Sequence, residues 1–329
     1  MNGHPFDALG PEQVLDAVEG MGIACDGRLF ALNSFENRVY QVGREGGEPL
    51  IAKFYRPGRL SEAEILEEHA FLAELAAAEL PVAPPLAQAD GRTLLDFAIT
   101  GGEHARAHFR VALFPRLRGR APELESATHL EWLGRLLARM HRVGACARFR
   151  RRPPLSVARL GDAALTATLA GPLLPPSLQA RYAQCGHELL AAVRARFDAL
   201  APLPALRLHG DLHAGNLLWS EAGPLLVDFD DCCEGPAIQD LWMLLPGDAD
   251  GRQAALAALV RGYEDFRAFD WSQVALIEAL RALRLLHHGG WLSARHDDPA
   301  FPRAFPYAAH ARFWEEHLLT LEAQCAVLA

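Results

Sequence analysis

Residues 207–231 constrain the fold of this chain more than any other part of its sequence. The segment reads RLHGDLHAGNLLWSEAGPLLVDFDD. Two apolar stretches, NLLW and PLLV, flank a turn at residues 221–223, and this pattern predicts a β-hairpin. Asn216 stands at the beginning of the hairpin and Asp228 just beyond its end. The hairpin is therefore expected to bring these two side chains together.

The polar residues of this segment have the spacing of a phosphotransfer site. The spacing is H-x-D-x-x-x-x-N from His209 through Asp211 to Asn216, and D-F follows at Asp228. It matches the catalytic and metal loops of kinases. A carboxylate at Asp211 can orient a hydroxyl nucleophile and accept its proton, while Asn216 and Asp228 offer the hard oxygens that Mg²⁺ prefers. The segment predicts an ATP- and magnesium-dependent phosphotransferase, with Asp211 and Asp228 catalytic and Asn216 and Asp228 binding the metal.

Two other interpretations of the segment remain. One is a polar turn between strands, which would leave the spaced Asn216 and the sequence DFDD unexplained. The other is a metallohydrolase with His209, Asp211 and His213 as ligands. Such a site recruits further histidines, and the obvious donors, the pair at 287–288, lie in a strongly helical pattern.

Lysine is almost absent from this chain, which has 31 arginines and a single lysine, Lys53. A lone lysine can mark a site where a compact ammonium is needed, or it can be a surface residue left by chance. Lys53 lies in the strand-like PLIAKFY, directly before a helix, where kinases keep the lysine that binds nucleotide phosphates. Its partner would be Glu64 or Glu68 of that helix. Because Ser61 and Glu64 form a capping-box pattern, Glu68 is the predicted partner.

The remaining nucleotide contacts are predicted around the sheet. No G-x-G-x-x-G loop precedes Lys53, and the sequence NSFEN occupies residues 33–37 instead. A turn of small and amide residues can present N–H groups and a hydroxyl to phosphate, so Ser34 is a candidate ATP contact. An ordinary turn is the alternative. Phe114 and Leu117 are also assigned to the nucleotide site.

Asp240 lies near the apolar beginning of a helical pattern at residues 236–246. An unpaired carboxylate would be costly there. We predict that it accepts hydrogen bonds from backbone N–H groups of the catalytic loop. A charge effect at the helix N-terminus is the alternative.

The order of elements predicts an α+β, bilobal, protein-kinase-like fold, with a small β-rich N-lobe and a larger, mainly helical C-lobe. The polar sequence PRLRGRAPE suggests a boundary after residue 115, giving lobes of residues 1–115 and 116–329. The N-lobe pattern comprises a helix at 11–22, a hairpin over 29–55, a helix after Ser61, and strands near 93–98 and 108–114. The C-lobe helices are predicted at 129–144, 177–199, 236–246, 252–268, 271–295 and 310–328.

Composition narrows the class of protein. The net charge of −9 argues against a general nucleic-acid binder, which needs a basic face. No apolar run reaches the roughly 18 residues of a membrane span, and the first residues lack the pattern of a secretory signal. The six cysteines form no C-x-x-C pair, which suggests neither a disulfide framework nor a zinc ribbon. We expect a cytoplasmic protein without nucleic-acid or membrane partners.

With these motifs in place, the sequence resembles the aminoglycoside-phosphotransferase-like branch of the kinase superfamily. More narrowly, it is similar to the bacterial stress response kinase A family. The resemblance covers nearly the whole chain, through segments such as LNSFENRVYQ, KFYRPGR, LRLHGDLHAGNLLW, VDFDD, GPAIQDLWMLL and DPAFPRAFP.

This resemblance implies a cytoplasmic, monomeric serine/threonine protein kinase that acts in stress survival. It implies that Asp211 accepts a proton, that Asn216 and Asp228 hold magnesium, and that Ser34 and Lys53 contact ATP. The second aspartate of DFDD, Asp230, stands where typical protein kinases carry glycine, and its role stays open. A small-molecule kinase of the choline, homoserine or aminoglycoside type shares the same motifs. A nucleotide-binding pseudokinase is a further alternative, which the intact motifs disfavour.

Overall fold

The N-terminal part of the protein is built on one antiparallel sheet. The computed structural model describes residues 4–99 and 107–329. Five strands pair in the order β1-β2-β3-β5-β4. Their bounds are β1 Cys25–Ala31, β2 Arg38–Arg44, β3 Leu50–Tyr55, β4 Leu95–Ile99 and β5 Ala107–Pro115.

Residues 25–55 form a three-stranded meander in place of the hairpin predicted over residues 29–55. The additional strand is β1, which begins at Cys25 and pairs with β2. The first residues of β1 are polar or glycine and mostly exposed, and the pairing with β2 is irregular between Cys25 and Leu29. An edge strand with one free side lacks the apolar alternation by which strands are recognised. The predicted turn in residues 45–48 does connect β2 to β3.

Two helices pack on this sheet, α1 (Pro11–Glu19) and α2 (Glu62–Ala77). At the start of α2, Ser61 Oγ accepts from the Glu64 N–H at 3.3 Å, and Glu64 Oε2 accepts from the Ser61 N–H at 2.7 Å. The predicted capping box is therefore present. The buried face of α2 includes Glu68 as well as apolar residues, so the helix holds one carboxylate against β3.

The C-terminal part is mainly helical and carries two small two-stranded sheets, β6–β9 and β7–β8. The strands are β6 Leu206–Leu208, β7 Leu217–Ser220, β8 Gly223–Leu226 and β9 Cys233–Gly235. The helices are α3 Ala127–Gly144, α4 Ala163–Ala170, α5 Gln179–Ala199, α6 Gln239–Trp242, α7 Ala249–Glu264, α8 Ile277–Arg295, α9 Phe301–Ala304 and α10 Ala311–Leu328. Together with the sheet and its helices they make the predicted bilobal, protein-kinase-like α+β fold.

The structure differs from the predicted helices in several places. The helix predicted at 236–246 shortens to α6, with turns on both sides of it. The first residues of the helix predicted at 271–295 form a 3₁₀ turn, Trp271–Leu276, before α8. Helix α4 was not predicted, and a π-helical turn at Ala158–Asp162 leads into it.

Apolar packing joins the two parts of the molecule. One core contains Phe71 of α2 and Phe114 of β5 together with residues of α3, α7 and α8. Helices α3 and α7 approach closely, since a Cβ on Gly134 would lie 2.0 Å from the Leu259 carbonyl oxygen. A second core packs α1 on the other face of the sheet. No helix in the described ranges is both long and apolar enough to cross a membrane.

Candidate active site

The catalytic segment is shaped by the predicted hairpin, which is confirmed. Strand β7 pairs with β8, with Leu217 opposite Leu226, and the Val227 N–H donates to the Asn216 carbonyl at 3.2 Å. Asn216 and Asp228 consequently flank the open end of the hairpin, and both line the cleft between the lobes.

Asp211 lies in the loop between β6 and β7. The Asn216 amide donates to the Asp211 carbonyl oxygen at 2.9 Å and fixes the backbone of this loop. The Asp211 carboxylate is 29% exposed to the cleft and is paired with Arg284 of α8. His213 Nε2 lies 3.6 Å from its other oxygen. Sequence analysis did not identify Arg284, because it belongs to a regular helix far along the chain and has no local motif.

The backbone of the catalytic loop is held by Asp240, as predicted. Its fully buried carboxylate accepts from the N–H groups of His209 and Gly210, each at 2.9 Å, and lies 3.1 Å from His141 Nε2. Gly210 has a φ of 87°, and a Cβ there would lie 2.2 Å from the Asp231 carbonyl oxygen. Glycine is therefore required at the turn that presents Asp211.

Asp228 is held in an unusual backbone conformation, with a φ of 61°. Such residues are strained and concentrate at functional sites. Its side chain is 55% exposed in the cleft, and its carboxylate lies 3.7 Å from Lys53 Nζ. The Asn216 amide nitrogen is engaged by Asp211, which leaves its carbonyl oxygen as a ligand. This pair of hard oxygens fits Mg²⁺, which takes its other ligands from phosphates and water.

Lys53 lies at the base of the cleft and is only 7% exposed. Its Nζ donates to Glu68 Oε1 at 3.3 Å, forms an ion pair with Asp230, and lies 3.7 Å from Asp228 Oδ1. Burial alone would lower the pKa of Lys53, but the charges of Asp230 and Glu68 outweigh it and raise the pKa well above its ordinary value. The ammonium is thus kept charged by carboxylates from α2 and from the metal loop.

Asp230 is the residue whose role the sequence left open. It pairs with Lys53, accepts from the Asn37 amide, and lies 3.1 Å from Arg59 Nη1. Burial would raise its pKa, yet the charges of Lys53 and Arg59 lower it. With three donors on its two oxygens, Asp230 organises the end of the cleft that contains Lys53.

The two glutamates of α2 lead to a paired prediction. Glu68 is buried and contacts Lys53, whereas Glu64 is half-buried at the cleft and is occupied by the helix cap. Glu68→Gln is expected to raise the KM for ATP and lower kcat, because Lys53 loses a charged partner. The matched variant Glu64→Gln should cost about 1 kcal/mol of stability or less and leave ATP kinetics unchanged. Steady-state kinetics and thermal unfolding of both variants test this, and the reverse pattern would contradict it.

Residues 33–37 form the turn in which Ser34 was proposed to meet ATP. Ser34 Oγ accepts from the Val39 N–H at 3.1 Å, which folds the turn back on β2. Ser34, Phe114 and Leu117 all line the cleft. Phe114 also lies beneath the ammonium of Lys53, with 5.7 Å between the nitrogen and the ring centre.

The same turn is docked onto the helical lobe through aromatic and ionic contacts. The ring of Phe35 packs edge-on against Trp291 and Phe305, with ring centres 5.4 and 4.8 Å away. The carboxylate of Glu36 accepts from Arg295 and from the Trp291 indole, each at 2.7 Å. We call the contact of residues 33–38 and Arg56 with residues 291–305 the clasp.

Asp298 anchors a second part of the clasp and is 1% exposed. It lies 2.9 Å from Arg38 Nη2 and 2.7 Å from Arg56 Nη2. Burial would raise its pKa, but the N–H of Ala300 and the charge of Arg56 lower it. The clasp therefore ties β2 and the end of β3 to the loop that follows α8.

A single cleft of about 1270 Å³ brings the predicted site residues together. The structure does not favour the metallohydrolase, because His209 is fully buried with Nε2 on the Val227 carbonyl at 2.8 Å. No cluster of three potential His, Cys, Asp or Glu ligands occurs within residues 4–99 and 107–329. The cleft-lining residues predicted from the sequence are Ser34, Lys53, Glu68, Phe114, Leu117, Asp211, Asn216 and Asp228.

Comparison with known proteins agrees with this geometry. The sequence model of the "Phosphotransferase enzyme family" matches residues 29–277. "Stress response kinase A" of Escherichia coli O157:H7 is 41% identical over 323 residues, covering 98% of this chain and 94% of that protein. "Serine/threonine protein kinase RdoA" of Salmonella typhimurium is 40% identical over 327 residues, covering 99% and 96%.

A solved structure shares the fold at low sequence identity. Amicoumacin kinase hAmiN, in complex with AMP-PNP, Ca²⁺ and Ami, superposes with a TM-score of 0.74 at 18% identity. The alignment covers 97% of this chain and 94% of that one. At this level of sequence identity, the structural similarity shows that the two proteins share a fold.

Proposed function

Because this chain is a kinase that belongs to the phosphotransferase enzyme family and, within it, to the stress response kinase A family, we propose that it is a serine/threonine protein kinase. It transfers the γ-phosphate of ATP to a protein hydroxyl in the bacterial stress response. The observation that carries the choice of a protein acceptor is the near full-length identity of about 40% to a relative named as a serine/threonine protein kinase.

The proposed roles follow from the positions of the side chains. Asp211 accepts the proton of the acceptor hydroxyl, and Arg284 and His213 orient its carboxylate. Lys53 contacts nucleotide phosphates, and Glu68 and Asp230 hold its ammonium in place. Asn216 and Asp228 hold Mg²⁺, which would neutralise charge on the transferred phosphoryl group.

The cleft between the lobes is large enough for two ligands. Its volume is about 1270 Å³, compared with roughly 300–1,000 Å³ for a site that holds one small molecule. It has room for a nucleotide next to Phe114 and Leu117 and for a second ligand between Asp211 and α8.

We place the boundary between the lobes after residue 115. We also propose that the enzyme is a monomer and that it works in the cytoplasm, where ATP is supplied.

Radiolabelled ATP distinguishes the two acceptor classes. The purified chain is incubated with Mg²⁺, γ-labelled ATP and either generic protein acceptors or a panel of small alcohols including choline, homoserine and aminoglycosides. We expect label on serine and threonine of the proteins, and none in reactions with Asp211→Asn. Label confined to a small alcohol would replace the proposal with a small-molecule kinase. Thermal stabilisation by Mg-ATP without any transfer would identify a pseudokinase.

A further inference from the structure

Arg159 lines the half of the cleft opposite the nucleotide. This acceptor half is bounded by residues 152–160, by Asp211 and by residues 280–295 of α8. Arg159 belongs to the π-helical turn Ala158–Asp162, which interrupts the chain just before α4. Such turns are rare and are frequently found at functional sites.

The guanidinium of Arg159 differs from the other arginines of the acceptor half because it has no partner. Its Nε is buried without a hydrogen bond, and its side chain forms no ion pair with any residue in the described part of the chain. The carboxylates nearby are already engaged by other arginines. The pairs are Arg59 with Asp231, Arg295 with Glu36, and Arg284 with Asp211, while Arg152 bonds the Asp230 carbonyl.

His287 lines the cleft together with Arg159. It lies on α8, one turn after Arg284. Burial lowers its pKa, the charges of Arg159 and Arg284 act in the same direction, and Asp231 and Asp211 oppose them. The imidazole is therefore neutral at pH 7, and Arg159 lines the same cleft as Asp211 without an ion-pair partner among the described residues.

A half-buried cation without an ion-pair partner favours an anion on the ligand, because opposite charges attract more strongly where water is partly excluded. It also disfavours a cationic acceptor, because like charges repel. Resting on the proposed function, we propose that Arg159 is a specificity residue that selects protein acceptors with an anionic side chain close to the phosphorylated serine or threonine. A carboxylate and a phosphate both fit this chemistry.

Four peptides of one length separate these possibilities. They carry the same serine and differ only at flanking positions, which hold alanine, glutamate, phosphoserine or lysine. For the unmodified enzyme we expect kcat/KM on the glutamate or phosphoserine peptide to exceed that on the alanine peptide by about tenfold or more, the scale of a hydrogen bond to a charged group. The lysine peptide should be the poorest, and comparison of the two anionic peptides identifies which anion is preferred.

Variants of Arg159 assign the preference to this side chain. Arg159→Gln should bring the ratio between anionic and alanine peptides close to one, and Arg159→Glu should favour the lysine peptide. Arg150→Gln is the matched control, since Arg150 is exposed and lies outside the cleft-lining set, and it should keep the parental ratio. Thermal unfolding verifies that each variant is folded.

Three results overturn the inference. Equal rates on all peptides leave the protein-kinase function intact but remove the anion preference. An unchanged ratio in both Arg159 variants assigns the preference to another residue. Phosphorylation of a small alcohol and of no peptide removes the proposed function, and the inference with it.

Discussion

Replacement of Asp211 by asparagine is expected to lower the rate of phosphoryl transfer by roughly 10²–10⁴-fold, the usual contribution of a positioned general base. Asparagine has nearly the same shape and can still accept a hydrogen bond from Arg284, but it cannot take a proton from the acceptor hydroxyl. Lys53, Asn216 and Asp228 are unchanged in the variant. The Kd of Mg-ATP should therefore stay close to the parental value.

Arg284→Gln is the control for this result, because Arg284 is paired with Asp211. If Asp211 acts only through that ion pair, both variants lose the same activity. We expect the loss in Arg284→Gln to be clearly smaller, because the carboxylate that takes the proton is still present. Single-turnover rates and isothermal titration with Mg-ATP measure both quantities, and near-normal transfer by Asp211→Asn would remove Asp211 from its assigned role.

Lys53→Arg is expected to lower kcat/KM for ATP by about 10²-fold, although the positive charge is kept. The ammonium is 7% exposed and is surrounded by carboxylates from Glu68, Asp228 and Asp230. A planar guanidinium is larger, and it would displace either the nucleotide or one of these partners. Overpacking of such a buried position costs about 1–3 kcal/mol of stability.

The arginine-rich composition makes this substitution informative, because all of the other Lys or Arg positions in the chain are arginine. Arg303→Lys, at an exposed position, introduces the opposite exchange and should leave both stability and kinetics unchanged. Initial rates at varied ATP and thermal unfolding provide the comparison. Parental activity in Lys53→Arg would show that the single lysine is an accident of composition.

Most parts of the site that sequence analysis anticipated depend on short spacings. The β7–β8 hairpin and the capping box of α2 each follow from residue types within one local segment. The hydrogen bonds of Asp240 span 30 and 31 positions, and they were predicted from the cost of leaving a carboxylate unpaired at an apolar site. Glu68 could be separated from Glu64 because the cap is itself a local pattern. The activities of the variants described above test the chemistry assigned to these residues.

The parts that sequence analysis missed depend on contacts between distant segments. Arg284 meets Asp211 across 73 positions, and Glu36 meets Arg295 across 259. A helix presents arginines on its surface with the same pattern whether they face solvent or a catalytic carboxylate. The π-helical turn that carries Arg159 also leaves no mark in the apolar periodicity. The three-dimensional fold alone reveals these pairs.

The clasp changes how ligand exchange should be understood in this protein. Besides the linker and the shared apolar core, the two lobes contact each other through Phe35 and Glu36, which pack on and pair with residues of α8, and through Asp298, which pairs with two arginines. These contacts must break before the lobes can separate at that side of the cleft. We therefore expect the residence time of the nucleotide to depend on the lifetime of the clasp as well as on the grip of Lys53. Release can then be slow even where affinity is modest.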